Sequence, residues 1–337
     1  MRSPRLRVIC IAVLVLFVSG CSRISHPKDY SRVEPLMGTF VQVKVSAPGR
    51  PESEVKSAID GAMELARDLE ESFSAFDPKS EVNKLNETGK AKVSPELFNL
   101  IKEAKRISNI TGGEFDITVA PVMKADGFYS DMPKELLAKI PDTFDGVGYE
   151  NVELEADSET ISLNKGAWID LSGIAKGYIV DRMVAFFRSK GLGGVMVNAG
   201  GDLYCGKREK GGPWKIGIRK PSASNIVATL YLEDIAVATS GDYENVIFDE
   251  RTGEAISHII DPITDNAVKE RSTSVTVLAS SCTEADALAT GMMAMGIERA
   301  LKLSESLSDI EVITVYCPGK HHTVSFSSGA KKYIMEK

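Results

Sequence analysis

From Asp286 onward, the stretch CTEADALATGMMAMG at 282–296 offers two oxygen-bearing side chains, Asp286 and Thr290, among small and apolar neighbours. Four residues apart, they stack on one face of a helix. A helix without a polar face is buried all round. An ionised carboxylate inside it is costly unless it is paired or binds a cation. Two readings stay open. A carboxylate and a hydroxyl one turn apart are hard oxygen donors for a hard metal ion. Equally, Thr283-x-x-Asp286 fits a capping box, with Asp286 near the positive helix end.

Three further clusters carry chemistry. WIDLSGIAKG at 168–177 reads as a strand, a tight glycine turn and a helix start. That geometry aims backbone N–H groups at an anion, with Lys176 at the turn; ordinary strand-to-helix turns also use glycine, and this is neither a Walker A nor a G-x-G-x-x-G sequence. GGVMVNAGGD at 193–202 is a buried strand closing on a glycine pair. The pair fits either close approach of a ligand to the backbone or a plain bulge or hairpin. His258, one of four histidines, precedes an Asp-Pro turn. An isolated histidine is usually structural, yet its pKa also suits acid–base work.

The elements that position these residues follow from periodicity. Val41, Val43 and Val45 alternate along a half-buried strand at Thr39–Ser46. A helix opens at Pro51 and runs to about residue 73, with Ala58, Ile59, Ala62, Met63, Leu65, Ala66 and Leu69 as its stripe, and a loop follows at 74–81. Ser94 caps a helix beginning at Pro95 and ending at the 112–113 glycine pair. GEFDITVAP at 113–121 is a polar turn feeding an apolar segment, 126–145 is loop-rich with a brief helix around 133–138, and short strands fit Val152–Glu155 and Thr160–Leu163. From 214 to 277 the pattern is mostly strand; a helix at 283–306 and strands at Glu311–Tyr316 and Thr323–Phe326 close the chain. Early helices, late strands and no regular βα alternation predict an α+β single domain with a largely antiparallel sheet. No linker is visible after residue 32.

The 337 residues are 43% hydrophobic and 26% charged, an ordinary globular composition. Residues 1–20 read as a signal segment: Arg2, Arg5 and Arg7, then an apolar run at 8–18 too short to span a bilayer comfortably. The run ends Val18-Ser19-Gly20-Cys21, which resembles a bacterial lipobox and implies cleavage before Cys21 and its lipidation, with a tether at 21–32 and the folded domain at 33–337. A plain signal peptide or uncleaved anchor is the alternative. Losing the three arginines takes the formal charge from −7 to −10. So acidic a domain argues against nucleic acid as partner. Cys205, Cys282 and Cys317 are left, an odd number without CxxC spacing. They read as small buried residues, with one disulfide possible, and not as a zinc site.

Six motifs in order resemble the ApbE family: Met37-Gly38-Thr39, GEFDIT at 113–118, DLSGIAKG at 170–177, NAGGD at 198–202, HIIDP at 258–262 and ADALAT at 285–290. The resemblance runs from about residue 33 to the C-terminus. It implies a T-fold-related α+β domain and a Mg2+-dependent FAD:protein FMN transferase, often a periplasmic lipoprotein. Asp286, Thr290 and the Ala175 carbonyl match the Mg2+ ligands. Met37, Phe76, Glu114, Phe115, Asp116, Ser172, Tyr178, Asp202, His258 and Ile263 match positions near FAD. His258 is the candidate base and Lys176 a charge beside the phosphates. Asp265 stands where the family usually has glycine, and Phe76 where a tyrosine is familiar. The implied partners are FAD, an acceptor protein modified on threonine, and a membrane reached through the lipid, on the periplasmic side of the inner membrane. An FAD pyrophosphatase and a non-catalytic flavin-binding lipoprotein are the rivals.

Overall fold

The computed structural model describes residues 29–221, 223–241, 247–248, 255–257, 259–264, 266–267, 273–318 and 321–334. The chain starts with β1 (Asp29–Leu36) and β2 (Thr39–Ser46), then α1 (Glu52–Phe73), α2 (Glu81–Thr88), β3 (Lys90–Lys92), α3 (Pro95–Thr111), α4 (Ala120–Ala125) and α5 (Lys134–Leu137). Next come β4 (Val152–Glu155), β5 (Thr160–Leu163), α6 (Ala175–Ser189), β6 (Val195–Ala199), β7 (Asp202–Cys205), β8 (Trp214–Arg219), β9 (Ile226–Leu232) and β10 (Ile235–Gly241). Four two-residue strands follow, β11 (Ile247–Phe248), β12 (Ala255–Ile256), β13 (Ile260–Asp261) and β14 (Asn266–Ala267). The chain closes with β15 (Thr273–Ala279), α7 (Cys282–Met295), α8 (Ile297–Ser304), β16 (Glu311–Tyr316) and β17 (Thr323–Phe326).

Eight strands form one sheet in the order β1-β2-β6-β7-β10-β15-β16-β17, every neighbouring pair antiparallel. Both faces are covered, which is why strands such as β15 are buried along their whole length. Val41, Val43, Val45, Val195 and Val197 face a large core shared with α1, α6 and α7. Met196, Leu203 and Val237, one position out of step, face a second core beneath the β8–β9 hairpin. The expected α+β single domain with a largely antiparallel sheet is therefore what the chain forms. Cys205, Cys282 and Cys317 are buried free thiols.

Local chemistry explains most boundaries. Ser94 Oγ accepts from the Leu97 N–H at 3.2 Å, Pro95 occupies the first turn of α3, and Gly112 ends it at φ 66°. Met37 and Gly38, at φ 55° and 65°, make the two-residue turn between β1 and β2.

Several expectations are corrected. Residues 29–32 are strand rather than tether, laddered onto β2. Residues 81–88 form a helix whose cap is Ser80. The 283–306 helix is two helices, because Gly296 takes φ 84° and ψ 160°, outside helical space. Residues 168–171 do not join a strand ladder. Their backbone groups go elsewhere: the buried Asn86 side chain donates to the Ile169 carbonyl at 2.9 Å and accepts from its N–H at 2.8 Å, and Asp170 N–H donates to the Ile117 carbonyl at 2.7 Å. One side chain thus replaces a strand partner. Replacing Asn86 with Ala strands both Ile169 groups in the core and is predicted to cost roughly 2–4 kcal/mol, read from denaturant unfolding midpoints.

Candidate functional site

α6 and α7 cross on the helical face of the sheet and hold each other by exchanged carboxylates. Asp286 of α7 accepts from the Gly177 N–H at 2.9 Å. Gly177 lies in the first turn of α6, a helix whose N-cap, Ile174, makes no side-chain cap bond. In return Asp181 of α6 accepts from the N–H groups of Cys282 and Thr283, both at 2.8 Å, and from the Thr283 hydroxyl at 2.6 Å. Each carboxylate stands at the positive end of the other helix. The capping box expected within α7 is therefore not formed. Ser281 is its cap, accepting from Glu284 N–H at 3.2 Å, and Asp286 serves the neighbouring helix instead.

Gly177 makes the contact possible. A Cβ there would lie 2.3 Å from the Cys282 carbonyl oxygen and 2.8 Å from Asp286 Cβ. Next to it, the Lys176 ammonium pairs with Asp202 at the β6–β7 turn and reaches Asp286 Oδ1 at 3.5 Å. Burial opposes the charge on Lys176, but Asp202 and Asp286 outweigh it and hold the ammonium protonated. For Asp286, 3% exposed, burial and the Asp202 charge push the carboxyl above its usual range, against Lys176 and the Gly177 N–H. Two acidic groups share one cation, so the cluster is short of positive charge.

Thr290 follows one turn after Asp286, its hydroxyl 3.3 Å from Ser240 Oγ on β10. The glycine turn lies against it: a Cβ on Gly173 would meet Thr290 Oγ1 at 3.5 Å and the Phe115 ring at 3.2 Å. Ala175 belongs to the same turn as Gly173 and Gly177. The Asp286 carboxylate and the Thr290 hydroxyl thus both lie against the glycine turn that contains Ala175, beside a charge deficit; hard oxygen donors of this kind suit a hard divalent cation. Among the described residues, no three His, Cys, Asp or Glu side chains cluster as metal ligands.

The other motifs gather here. Gly200 and Gly201 form the β6–β7 turn, settling the glycine pair as a hairpin, and a Cβ on Gly200 would meet Thr39 Oγ1 at 2.7 Å. Residues 37–39 and 198–202 are therefore neighbours. Gly291 of α7 packs on Phe115. A family model described as the ApbE family matches residues 37–314. The chain belongs to the ApbE family. It is accordingly an enzyme of the transferase class. A FAD:protein FMN transferase of Vibrio cholerae is 34% identical over 314 residues, covering 89% of this chain and 90% of that protein. One of Haemophilus influenzae is 27% identical and covers 98% of both. Among solved structures, the ApbE protein of Thermotoga maritima superposes with a TM-score of 0.80 at 29% identity, over 92% of this chain and 100% of that one. The flavin transferase ApbE of Vibrio cholerae gives 0.74 at 31% identity, over 91% and 99%.

The remaining ApbE-matched positions divide into open and committed side chains. Phe76 is 43% exposed on a loop that the Asn83 amide ties down through the carbonyls of Ser74, Ala75 and Asp77. Its ring meets Tyr129 edge-on at 5.9 Å, and Tyr129 donates to Asp170 at 2.6 Å. Ile263 is 60% exposed on an Asx turn made by Asp261. Both apolar side chains are free to meet a planar ring. Met37 stands at its left-handed turn with its N–H on Glu70 Oε1 at 2.7 Å.

Asp116, by contrast, is spent internally, accepting from the Thr118 N–H and hydroxyl and from Tyr149 N–H. The Tyr178 hydroxyl donates to Glu96 at 2.6 Å and pins α6 to α3. Glu114 is buried; Oε1 meets Arg299 at 2.5 Å, while Oε2 has no hydrogen-bond partner among the described residues.

The exposed Ser172 gives its N–H to Asp170 Oδ1 at 2.7 Å, and the amides of Ile174, Ala175 and Gly177 are likewise occupied. The 172–177 turn therefore does not present those amides to an anion; it is a scaffold for Asp286. His258 and Asp265 lie outside the described residues. A hollow lined by Gly200, Gly201, Ile216, Ile218, Val237 and Thr239 opens on the other face of the sheet. Its lining Thr239 precedes Ser240, the β10 residue that meets Thr290, and its lining Gly201 precedes Asp202.

Asp181, Asn83 and Ser240 were not legible as site residues. Their partners are backbone amides, carbonyls and the distant hydroxyls of Thr283 and Thr290, which leave no spacing in the sequence.

Two predictions follow from these contacts. Alanine in place of an ordinary helix glycine gains about 1 kcal/mol. Gly177→Ala is expected to have the opposite sign, losing roughly 2 kcal/mol or more through overpacking, as measured by thermal denaturation. Burial raises the Asp116 carboxyl against its three donors. A raised folded-state pKa means the native state holds the proton longer, so stability falls as pH rises above the unfolded value. Relative to Asp116→Asn, the wild type should lose stability from about pH 4 upward, read as the difference between the two unfolding curves at each pH.

Proposed function

We propose that this chain moves FMN from FAD onto a threonine hydroxyl of an acceptor protein, in a Mg2+-dependent reaction that releases AMP. The observation that carries the reading is the convergence of the Asp286 carboxylate, the Thr290 hydroxyl and the glycine turn containing Ala175 around a charge deficit. Those three oxygens would hold Mg2+, with positions left for phosphate. When bound, the ion neutralises charge on the pyrophosphate and on the departing AMP. The names of the Vibrio and Haemophilus relatives support FAD as donor and a protein as acceptor.

The chain's own residues do the rest. The acceptor oxygen bonds to the FMN phosphorus, the bond from that phosphorus to the bridging oxygen breaks, and AMP leaves with that oxygen. The hydroxyl proton passes to a base, for which His258 is the candidate, and on to solvent or product. Lys176 cannot be that base, because Asp202 and Asp286 hold it protonated. Its part is a fixed positive charge beside the phosphates, held by two buried carboxylates and worth more in this partly buried setting than in water. Phe76 and Ile263, exposed and apolar, offer surfaces for the flavin ring.

The N-terminal pattern supports an extracytoplasmic lipoprotein anchored through Cys21, on the periplasmic side of the inner membrane. No helix among the described residues is long and apolar enough to cross a membrane.

The test incubates the domain from residue 22 onward with FAD, Mg2+ and a candidate acceptor, and follows covalent flavin fluorescence on a denaturing gel together with AMP. Losing several kcal/mol of charge stabilisation means that Asp286→Ala should slow transfer by about a hundredfold or more. A wild-type rate from that variant in chelator-treated buffer contradicts the metal assignment. AMP formed equally with and without acceptor contradicts transfer.

A further inference from the structure

We infer that Asp181 is a positioning residue for the metal site: its carboxylate sets where α7 presents Asp286 and Thr290 to the glycine turn of α6. The inference rests on the Mg2+ reading above and concerns a residue that is not itself a ligand.

Two anchors join the helices. At one, Asp286 Oδ2 accepts from Gly177 N–H. At the other, Asp181 accepts from the first two amides of α7 and from the Thr283 hydroxyl. Gly177 and Asp181 are four residues apart on α6, about 6 Å of axial rise, and Thr283 and Asp286 are three apart on α7, about 4.5 Å. The anchors therefore bracket one turn of each helix. One anchor leaves a helix free to pivot; two fix both its depth and its direction.

The remaining α7 amides show why Asp181 has no substitute. Ser281 Oγ serves Glu284 N–H, and the Ser281 carbonyl serves Ala285 N–H. The Cys282 and Thr283 amides have Asp181. Without it, the hydrogen bonds that join α7 to α6 come down to those of Asp286, leaving packing and that one carboxylate, itself a ligand in the metal reading, to set the helix. Thr290, a further turn along, would swing with the helix away from Gly173, which it now approaches to within contact of a Cβ. Groups that orient metal ligands in this way commonly change metal affinity by about 10–100-fold.

The experiment titrates Mn2+ into wild type, Asp181→Ala, Asp181→Asn and Ser327→Ala, following free Mn2+ by electron paramagnetic resonance and recording Tm for each. Ser327 caps the Val312 amide at 2.9 Å, on an edge region away from α6 and α7, and serves as the stability control. Expected are a Kd raised about tenfold or more in Asp181→Ala, a smaller rise in Asp181→Asn, which keeps one acceptor oxygen, and an unchanged Kd in Ser327→Ala despite its lower Tm. Asp181→Asn carries the test if Asp181→Ala does not fold. Kd values within twofold of wild type in the folded Asp181 variants overturn the inference. An equal rise in Ser327→Ala also overturns it, since the effect would then be general loss of stability. Wild-type protein that binds no Mn2+ overturns the metal reading itself, and this inference with it.

Discussion

Two carboxylates exchanged between neighbouring helices are the constraint on which the rest of this structure depends. Asp286 serves the start of α6, and Asp181 serves the start of α7. Each bond satisfies amides that a helix start leaves open, and each places a negative charge at a positive helix end. The arrangement requires the helix backbones to touch, and only glycine at 177 permits that, with the Cys282 carbonyl 2.3 Å from where a Cβ would be. The sheet supplies the platform: α7 lies on β10 and β15, and Ser240 of β10 meets Thr290.

The same contact creates an electrostatic problem that function can use. Asp202 and Asp286 are both almost fully buried, and Lys176 alone stands between them. An apolar core would be cheaper, because burying charges costs more than their pairing returns unless every group is satisfied. A cluster left short of positive charge is suited to receiving a cation together with the phosphates that the cation would carry. The glycine turn then acts as a frame in which the amides of Ser172, Ile174, Ala175 and Gly177 are committed to Asp170, Leu171 and Asp286. In the proposed reaction, phosphate would therefore be met by charge rather than by those amides.

Much of this was legible before the fold was known, for identifiable reasons. The valines at 41, 43 and 45 alternate because one strand face is buried, and Ser94-Pro95 and the 112–113 glycines mark a helix through local bonds alone. Asp286 and Thr290 stand out because an oxygen donor in an apolar helix is costly. What escaped has a common cause: groups whose partners are distant in sequence. Residues 168–171 have strand composition, yet the Asn86 side chain takes the place of a ladder. Thr283-x-x-Asp286 has capping-box spacing, yet Ser281 and Asp181 do the capping. Asp116 and Tyr178 match family positions near the flavin, while their polar atoms are committed to Thr118, Tyr149 and Glu96. The Gly296 break was visible only as a glycine, which helices also tolerate.

The central claim is that the Asp286 carboxylate, the Thr290 hydroxyl and the Ala175 carbonyl form one cation site that receives the pyrophosphate of FAD. The most direct measurement is anomalous diffraction from crystals grown with FAD and Mn2+. The account predicts a manganese peak bounded by those three oxygens and by phosphate oxygens of the nucleotide. A peak elsewhere, or ordered FAD whose phosphates lie away from Asp286 with no metal beside it, would contradict it.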